Sequence, residues 1–464
     1  MIAPTDPVAA PAPRPAPEAP RSYQFPRFER RTLPNGMQLV VAPVNKLPLA
    51  TVIAVVEAGA SAEVPGQEGV AALTASLLLE GAAGIDGAAL AERFERIGAS
   101  VESHADWDVA AVSLTALTKQ LPEALALVRD LLRAPDFPER EVDRLKEERL
   151  AELLQQRAEP RGLADEQFAR ALYEPSARYA TPSDGDTASV RALSRENVRA
   201  FYASRFHPAA TTLIIVGDVT MEQTSGLATV LFGDWTGTHP SGLATGIDAA
   251  QPNRLTRVVA KADAPQSEVR VGHIGLPRSA PDYFETMVMN AVLGGLFSSR
   301  INLNLREAHG YTYGAFSGFE WRRAAGPFVV STAVKSDDTA AAVREILSEI
   351  ERMRREEIGE AELTLATSYL DGVFPIRYET TAAIAAALAN LTIHGLPDDY
   401  YDRYRARVRA VTTGDVLRAA QVHLHPEQLR IVVVGDPAVI ATPLGEMTGT
   451  TVEVVSPDRA EKSA

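Results

Sequence analysis

The chain repeats itself, and the repeat limits what it can fold into. His207-Pro208 stands ten residues before Gly217-Asp218, and His425-Pro426 stands ten residues before Gly435-Asp436, an offset of 425 − 207 = 218. The same offset carries Asn197-Val198 onto Asp415-Val416 and Leu213-Ile214-Ile215-Val216 onto Ile431-Val432-Val433-Val434. It also carries residues 69–81 onto 287–299. A helix, a His-Pro turn, a β-branched strand and a Gly-Asp stop recur in one order, which means two copies of one domain. At roughly 100–200 residues per domain, a chain of 464 residues has room for both.

Within the first copy, Asn35-Gly36 is a hairpin signal. Runs rich in Val, Leu and Ile predict strands over 37–42 and 50–57. Apolar spacing predicts helices over 69–79, 86–97, 121–132 and 195–206, strands within 99–116 and a strand over 211–216. A long helix dense in Glu, Arg and Lys covers 138–156. Residues 1–26, rich in Pro and Ala, read as a disordered tail without the basic start and apolar middle of a signal peptide. The expected layout is a tail over 1–26, a domain over 27–235, a linker over 236–255 rich in Gly, Thr, Ser and Pro, a domain over 256–445 and a tail over 446–464. Neither half alternates βαβ units. The expected class is therefore α+β, two homologous domains, each a largely antiparallel sheet with helices packed on one face. Two such halves joined by a linker can close like a clam shell over something extended.

Composition removes several functions. The net charge of −14 argues against a nucleic-acid surface or a polybasic membrane patch. With no cysteine there is no disulfide frame, thiolate nucleophile or thiolate zinc site. No apolar run reaches the roughly 18 residues of a membrane span, so a soluble protein is expected, with cytoplasm and periplasm both open. None of the eight histidines pairs with another four residues away on a helix, and His423-x-His425 reads as part of a turn. There is no Gly-x-Ser-x-Gly elbow and no phosphate loop.

The stretch over 293–314, LGGLFSSRINLNLREAHGYTYG, concentrates unusual residue types. It reads as a helix entered through Gly294-Gly295, a turn at Gly310, then a strand. Phe297, Ile301, Leu303 and Leu305 form its apolar set, and Arg300, Asn302, Asn304 and Arg306 its polar set. Arg306 near the helix end and Tyr313 seven residues on can offer a guanidinium and a phenol to one small volume, a pair suited to gripping a carbonyl or carboxylate. Residue type alone also fits a helix-capping arginine beside a half-buried tyrosine.

Together these features resemble the pitrilysin, insulin-degrading enzyme and mitochondrial processing peptidase family of inverted zincins. The resemblance covers about residues 28–440. It rests on Leu33-Pro34-Asn35-Gly36-Met37, on Glu57-Ala58-Gly59-Ala60 with Glu63 and Gly69-Val70-Ala71, and on Phe206-His207-Pro208 with Val216-Gly217-Asp218. In the second half it rests on Gln266-Ser267, Leu293-Gly294-Gly295, Phe297-Ser298-Ser299-Arg300 and Leu305-Arg306-Glu307. The family's zinc helix carries His-x-x-Glu-His, two ligands and a base. The matching positions here are Ala72, Ala75 and Ser76, so neither ligand nor base remains. Glu152 matches the family's third ligand, and also reads as a solvated helix glutamate, since one carboxylate cannot hold a tetrahedral zinc.

By the same resemblance, Arg306 and Tyr313 match the family's substrate-binding pair, and the glycines at 294 and 295 would let a peptide backbone approach. The resemblance thus implies a catalytically incomplete subunit, forming half of a clam-shell chamber and holding no cofactor of its own. A homologous partner with His-x-x-Glu-His would bring zinc, and a peptide or unfolded protein would be the substrate. Two alternatives stand beside it. One is a non-enzymatic peptide-binding or assembly subunit. The other is a self-sufficient peptidase with a displaced metal site.

Overall fold

The computed structural model describes residues 22–237, 247, 249 and 253–457. The first half contains β1 (Glu29–Thr32), β2 (Gln38–Pro43), β3 (Leu49–Val56), a short hairpin β4 (Gly81–Ala82) and β5 (Ile85–Asp86), then β6 (Ser100–Ala105), β7 (Ala110–Leu117) and β8 (Thr211–Gly217). The second contains β9 (Leu255–Ala260), β10 (Gln266–Ile274), β11 (Ala315–Phe319), β12 (Pro327–Lys335), β13 (Arg430–Gly435) and β14 (Val452–Val455). The two six-stranded sheets run β1-β2-β8-β3-β7-β6 and β11-β12-β10-β13-β9-β14. Five strands match in order, β2-β8-β3-β7-β6 against β9-β13-β10-β12-β11. The β2–β8 and β13–β9 pairs are both parallel, and the other pairs of these cores are antiparallel.

The sixth strands differ. β1 pairs antiparallel with β2 through the Asn35-Gly36 turn, whereas β14 pairs parallel with β9 from the C-terminal side. Residues 452–455, expected within a tail, thus belong to the second sheet, and helix Pro437–Thr448 crosses the expected boundary at 445.

All seven residues of β8 are buried. Such an unbroken apolar run fits a strand covered on both faces rather than one. The expected helical layer covers one face: helices Val70–Leu77 and Leu121–Arg133 pack on the first sheet, with helix Met221–Phe232 beside them. The other face is covered by helix Thr381–Ile393 from the second half, which lies on β3 and β8. Its Ile384, Ala385 and Leu388 join one core with Val40, Val55, Ile214 and Val216. Thr380 caps it, its hydroxyl oxygen accepting from the Ala383 amide at 3.1 Å.

The exchange is mutual. Helix Pro160–Leu172 of the first half lies on β13 and β10. Its apolar stripe of Leu163, Ala164, Phe168, Ala171 and Leu172 forms a core with Val259, Val432 and Val434. The two halves are therefore fastened to each other by shared cores. Most of the expected linker, 236–255, lies outside the described residues. Residues 1–21 of the expected tail also lie outside them. Its last residues are anchored: Phe25 is buried and stacks on Tyr401 with centroids 4.5 Å apart, and the Tyr23 hydroxyl donates to the Tyr378 carbonyl at 2.8 Å. No helix among the described residues is long and apolar enough to cross a membrane.

Candidate functional site

Helix Val70–Leu77 starts from Gly69, whose φ of +95° suits glycine. A Cβ at Gly69 would lie 2.7 Å from the Asp184 carbonyl oxygen. The buried Glu63 carboxylate sits at the helix N-terminus, accepting from the amides of Gly69 at 3.1 Å and Ala71 at 2.8 Å, and from Arg178 Nε at 2.7 Å. Burial pushes this carboxyl up to about 7, against the pull of Arg178 and the two amides.

Ala72 and Ser76, one turn apart, line a cavity of about 180 Å³ with Glu148, Arg149 and Glu152 from helix Glu139–Ala158 and with Asp184. The chain thus brings Ala72, Ser76 and Glu152, the positions that the resemblance singles out, to one cavity. Ala75 is fully buried, and its carbonyl accepts from the Ser103 hydroxyl at 2.6 Å. The cavity does not fit zinc. Alanine and serine offer no nitrogen ligand. The Glu152 carboxylate already accepts from Arg149 Nη1 at 3.1 Å, and Arg149 also pairs with Asp184. A guanidinium already supplies the positive charge beside these carboxylates. Among the described residues, no cluster of three or more His, Asp or Glu could hold a metal ion. His423 and His425 part company: His423 pairs with Asp282, and the His425 amide donates to His273 Nε2 at 3.2 Å.

The second half treats the matching stretch differently. Helix Tyr283–Asn290 passes into a π-helical turn over Ala291–Gly295 and breaks at the extended Leu296. A short helix, Arg300–Asn302, then leads into a second π-helical stretch, Leu303–Ala308. The single helix expected here is therefore broken. π-Helical turns are rare and concentrate at functional sites. Gly294 is buried, and a Cβ on it would lie 2.7 Å from the Ser317 amide nitrogen. Its missing side chain serves the approach of β11, not the entrance for a peptide backbone that the sequence suggests. Gly295 is exposed.

The polar alternation of this stretch also has another cause than solvation. Arg300 and Asn302 are buried. Arg300 makes a bidentate pair with Glu362 at 2.7 and 2.8 Å, tying the stretch to helix Glu360–Arg377. Asn302 Nδ2 donates to the Phe297 carbonyl at 2.6 Å, and its Oδ1 accepts from the Ala315 amide at 3.0 Å. Asn304 Nδ2 donates to Glu349 at 2.9 Å. Sequence reasoning missed Asn302 as the clamp between loop, helix and β11. An asparagine on an apparent polar face gives no warning of it.

Arg306 lies on the second π-helical stretch with a side chain 36% exposed. Its guanidinium carbon is 4.6 Å from the centre of the Phe297 ring, and its Nε is 3.5 Å from Glu307 Oε1. The Tyr311 amide donates to the Leu305 carbonyl at 2.9 Å, and Gly310 takes φ +66°, closing the helix in a left-handed turn. Tyr313 follows at 93% exposure, ahead of β11, which begins at Ala315. It is an exposed side chain rather than the half-buried one that residue type favours. Arg306 and Tyr313 are thus both available on the surface, Tyr313 two residues short of the outermost strand β11.

Fold and site together define a class: a two-domain α+β chain in which a zinc-peptidase-like unit occurs twice, with no zinc site in either copy among the described residues. Comparison with known proteins gives the family. Residues 39–180 match the insulinase (peptidase family M16) model, and residues 192–370 match the peptidase M16 inactive domain model. The chain belongs to the peptidase M16 family, with Ala72, Ala75 and Ser76 at its zinc-motif positions. It is 26% identical to a peptidase M16 inactive domain from Pseudomonas fluorescens, whose crystal structure matches with a TM-score of 0.83 over 88% of this chain and 98% of that one. An uncharacterized zinc protease of Streptomyces coelicolor is 23% identical over 84% of this chain and 86% of its own length. A non-peptidase homolog of Helicobacter pylori is 22% identical over 84% and 90%.

Proposed function

We propose that this chain is the catalytically incomplete subunit of a heterodimeric zinc peptidase, forming half of a chamber and supplying the peptide grip. A homologous partner bearing His-x-x-Glu-His would hold the zinc, whose bound water attacks the scissile carbonyl. Arg306 and Tyr313 would hydrogen-bond the substrate backbone and the developing oxyanion. An extended peptide adding to the outermost strand β11, next to Tyr313, would bind with loose side-chain specificity. One observation carries the reading: Arg306 and Tyr313 are exposed with no core role, while the metal positions Ala72, Ala75 and Ser76 offer nothing.

The test is peptide cleavage by the chain assembled with its zinc-bearing partner. Arg306→Ala and Tyr313→Phe should leave zinc content and assembly unchanged. Losing a charge-assisted hydrogen bond should cost on the order of 2–3 kcal/mol, about thirty- to a hundred-and-fifty-fold in kcat/KM. Wild-type rates in both variants would leave the non-enzymatic assembly role as the better account.

A further inference from the structure

Phe297 is a large apolar side chain in an odd place. It is 60% exposed, so core packing does not account for its place. Its backbone is nevertheless fixed: its carbonyl accepts from the buried Asn302, which also holds the start of β11. Leu296 ahead of it is extended (φ −119°, ψ 158°), which turns the chain out of the π-helical stretch. The ring then lies against Arg306, with 4.6 Å from its centre to the guanidinium carbon.

A guanidinium is planar, with five N–H donors around its edge. An aromatic ring takes a face and leaves the edge for hydrogen bonds. On this edge Nε faces Glu307 Oε1 at 3.5 Å. The ring and Glu307 thus restrain a side chain whose freedom would otherwise be lost on binding, and the two Nη groups remain for a ligand oxygen.

We infer that Phe297 is a positioning residue for Arg306: it fixes the plane in which Arg306 offers its Nη donors to the peptide. The inference rests on the peptide-gripping role proposed above. It predicts that Phe297 acts through Arg306 and through nothing else.

A double-mutant cycle on the assembled complex, read as cleavage of a fluorogenic unstructured peptide, tests this. Phe297→Ala should lower kcat/KM roughly two- to five-fold, the size of a partly exposed cation–π contact. Phe297→Tyr should retain the wild-type rate, since it keeps the ring. In an Arg306→Ala background, Phe297→Ala should have no further effect. Independent, multiplying losses would mean that Phe297 touches the substrate or supports the fold, and would overturn the inference. So would an unchanged rate in Phe297→Ala when Arg306→Ala is slow. If Arg306→Ala itself cleaves normally, or no complex cleaves, the gripping role fails first and takes this inference with it.

Discussion

Arg149 standing where the metal charge would be is a claim that zinc affinity can measure. The perturbation is Ala72→His with Ser76→His, keeping Glu152, made with and without Arg149→Leu. Ala75→Glu is not needed, because position 75 supplies the base rather than a ligand and is fully buried here. Arg149 Nη1 lies 3.1 Å from Glu152 Oε2. A zinc held by that carboxylate at about 2 Å would therefore stand within roughly 5 Å of the guanidinium. At an effective dielectric of about 20, a dication and a guanidinium at that distance repel by about 6–7 kcal/mol. The Glu152 side chain is 54% exposed, so solvent screening is substantial and about half, roughly 3 kcal/mol, is a fair expectation. That is about a hundredfold in affinity. Zinc titration against a chelating dye, with Glu152→Gln as control, should find weak binding in the two-histidine variant and binding at least fiftyfold tighter once Arg149 is leucine. A change below threefold would show that Arg149 does not hold the metal's electrostatic place.

Three further outcomes follow from packing and burial. Phe168→Ala, in the exchanged helix, should cost about 3–5 kcal/mol. In a Trp107→Phe, Trp235→Phe background, the urea midpoint should shift equally by circular dichroism and by the fluorescence of Trp321 in the second half, and a Trp321 signal that does not move would mean the halves do not share that core. Gly294→Ala should lower stability by about 1–3 kcal/mol through the Ser317 clash, seen as a drop in Tm; an unchanged Tm would return Gly294 to a role at an open entrance. His273 is buried, which holds its imidazole down to about 4. As the pH falls below about 6.5 the unfolded chain takes this proton and the folded one does not, so stability is lost between about pH 6.5 and 4, near 2 kcal/mol by pH 5. His273→Gln should flatten that part of the stability–pH curve, and a slope equal to wild type would refute the assignment.

Much of the fold was legible because the repeat is long. An offset of 218 maps five strands of one sheet onto five of the other, and it follows from residues as plain as His207-Pro208 and His425-Pro426. The exchange of helices was not legible. Leu163, Ala164 and Phe168 announce an apolar helix face, but a face does not say which sheet it covers. The burial of Phe25 was hidden for a similar reason: a Pro- and Ala-rich setting outweighs one aromatic ring when only local composition is read. At the zinc-motif positions, the family resemblance pointed to Ala72, Ser76 and Glu152, which line one cavity. Alternating polar residues over 300–306 misled, because Arg300, Asn302 and Asn304 find acceptors on neighbouring elements. Hydrogen-bond partners distant in sequence leave no mark on local periodicity.

The offset also sets the two copies' metal-motif positions side by side, and they depart from a metal site in different physical ways. It carries Ala72 onto Asn290, Ser76 onto Gly294 and Glu152 onto Leu370. In the first copy these positions surround an open cavity where Arg149 pairs with the carboxylates of Glu152 and Asp184. In the second they are sealed. Ser317 Oγ donates to Asn290 Oδ1 at 2.7 Å, Asn290 Nδ2 donates to the Ser317 carbonyl at 3.1 Å, Gly294 packs beneath them and Leu370 is buried. The first copy has space without nitrogen ligands, and the second has its space filled. β11 closes over that second position through Ser317, and the same strand begins two residues after Tyr313. Filling the old site therefore also fixes the strand next to which Arg306 and Tyr313 stand exposed. A Ser317→Ala substitution separates these effects: it removes one bond to Asn290 without changing Arg306. If the sealed position supports the grip, peptide cleavage in the assembled complex should fall with this variant while zinc content stays constant, and a wild-type rate would show that the two features are only neighbours.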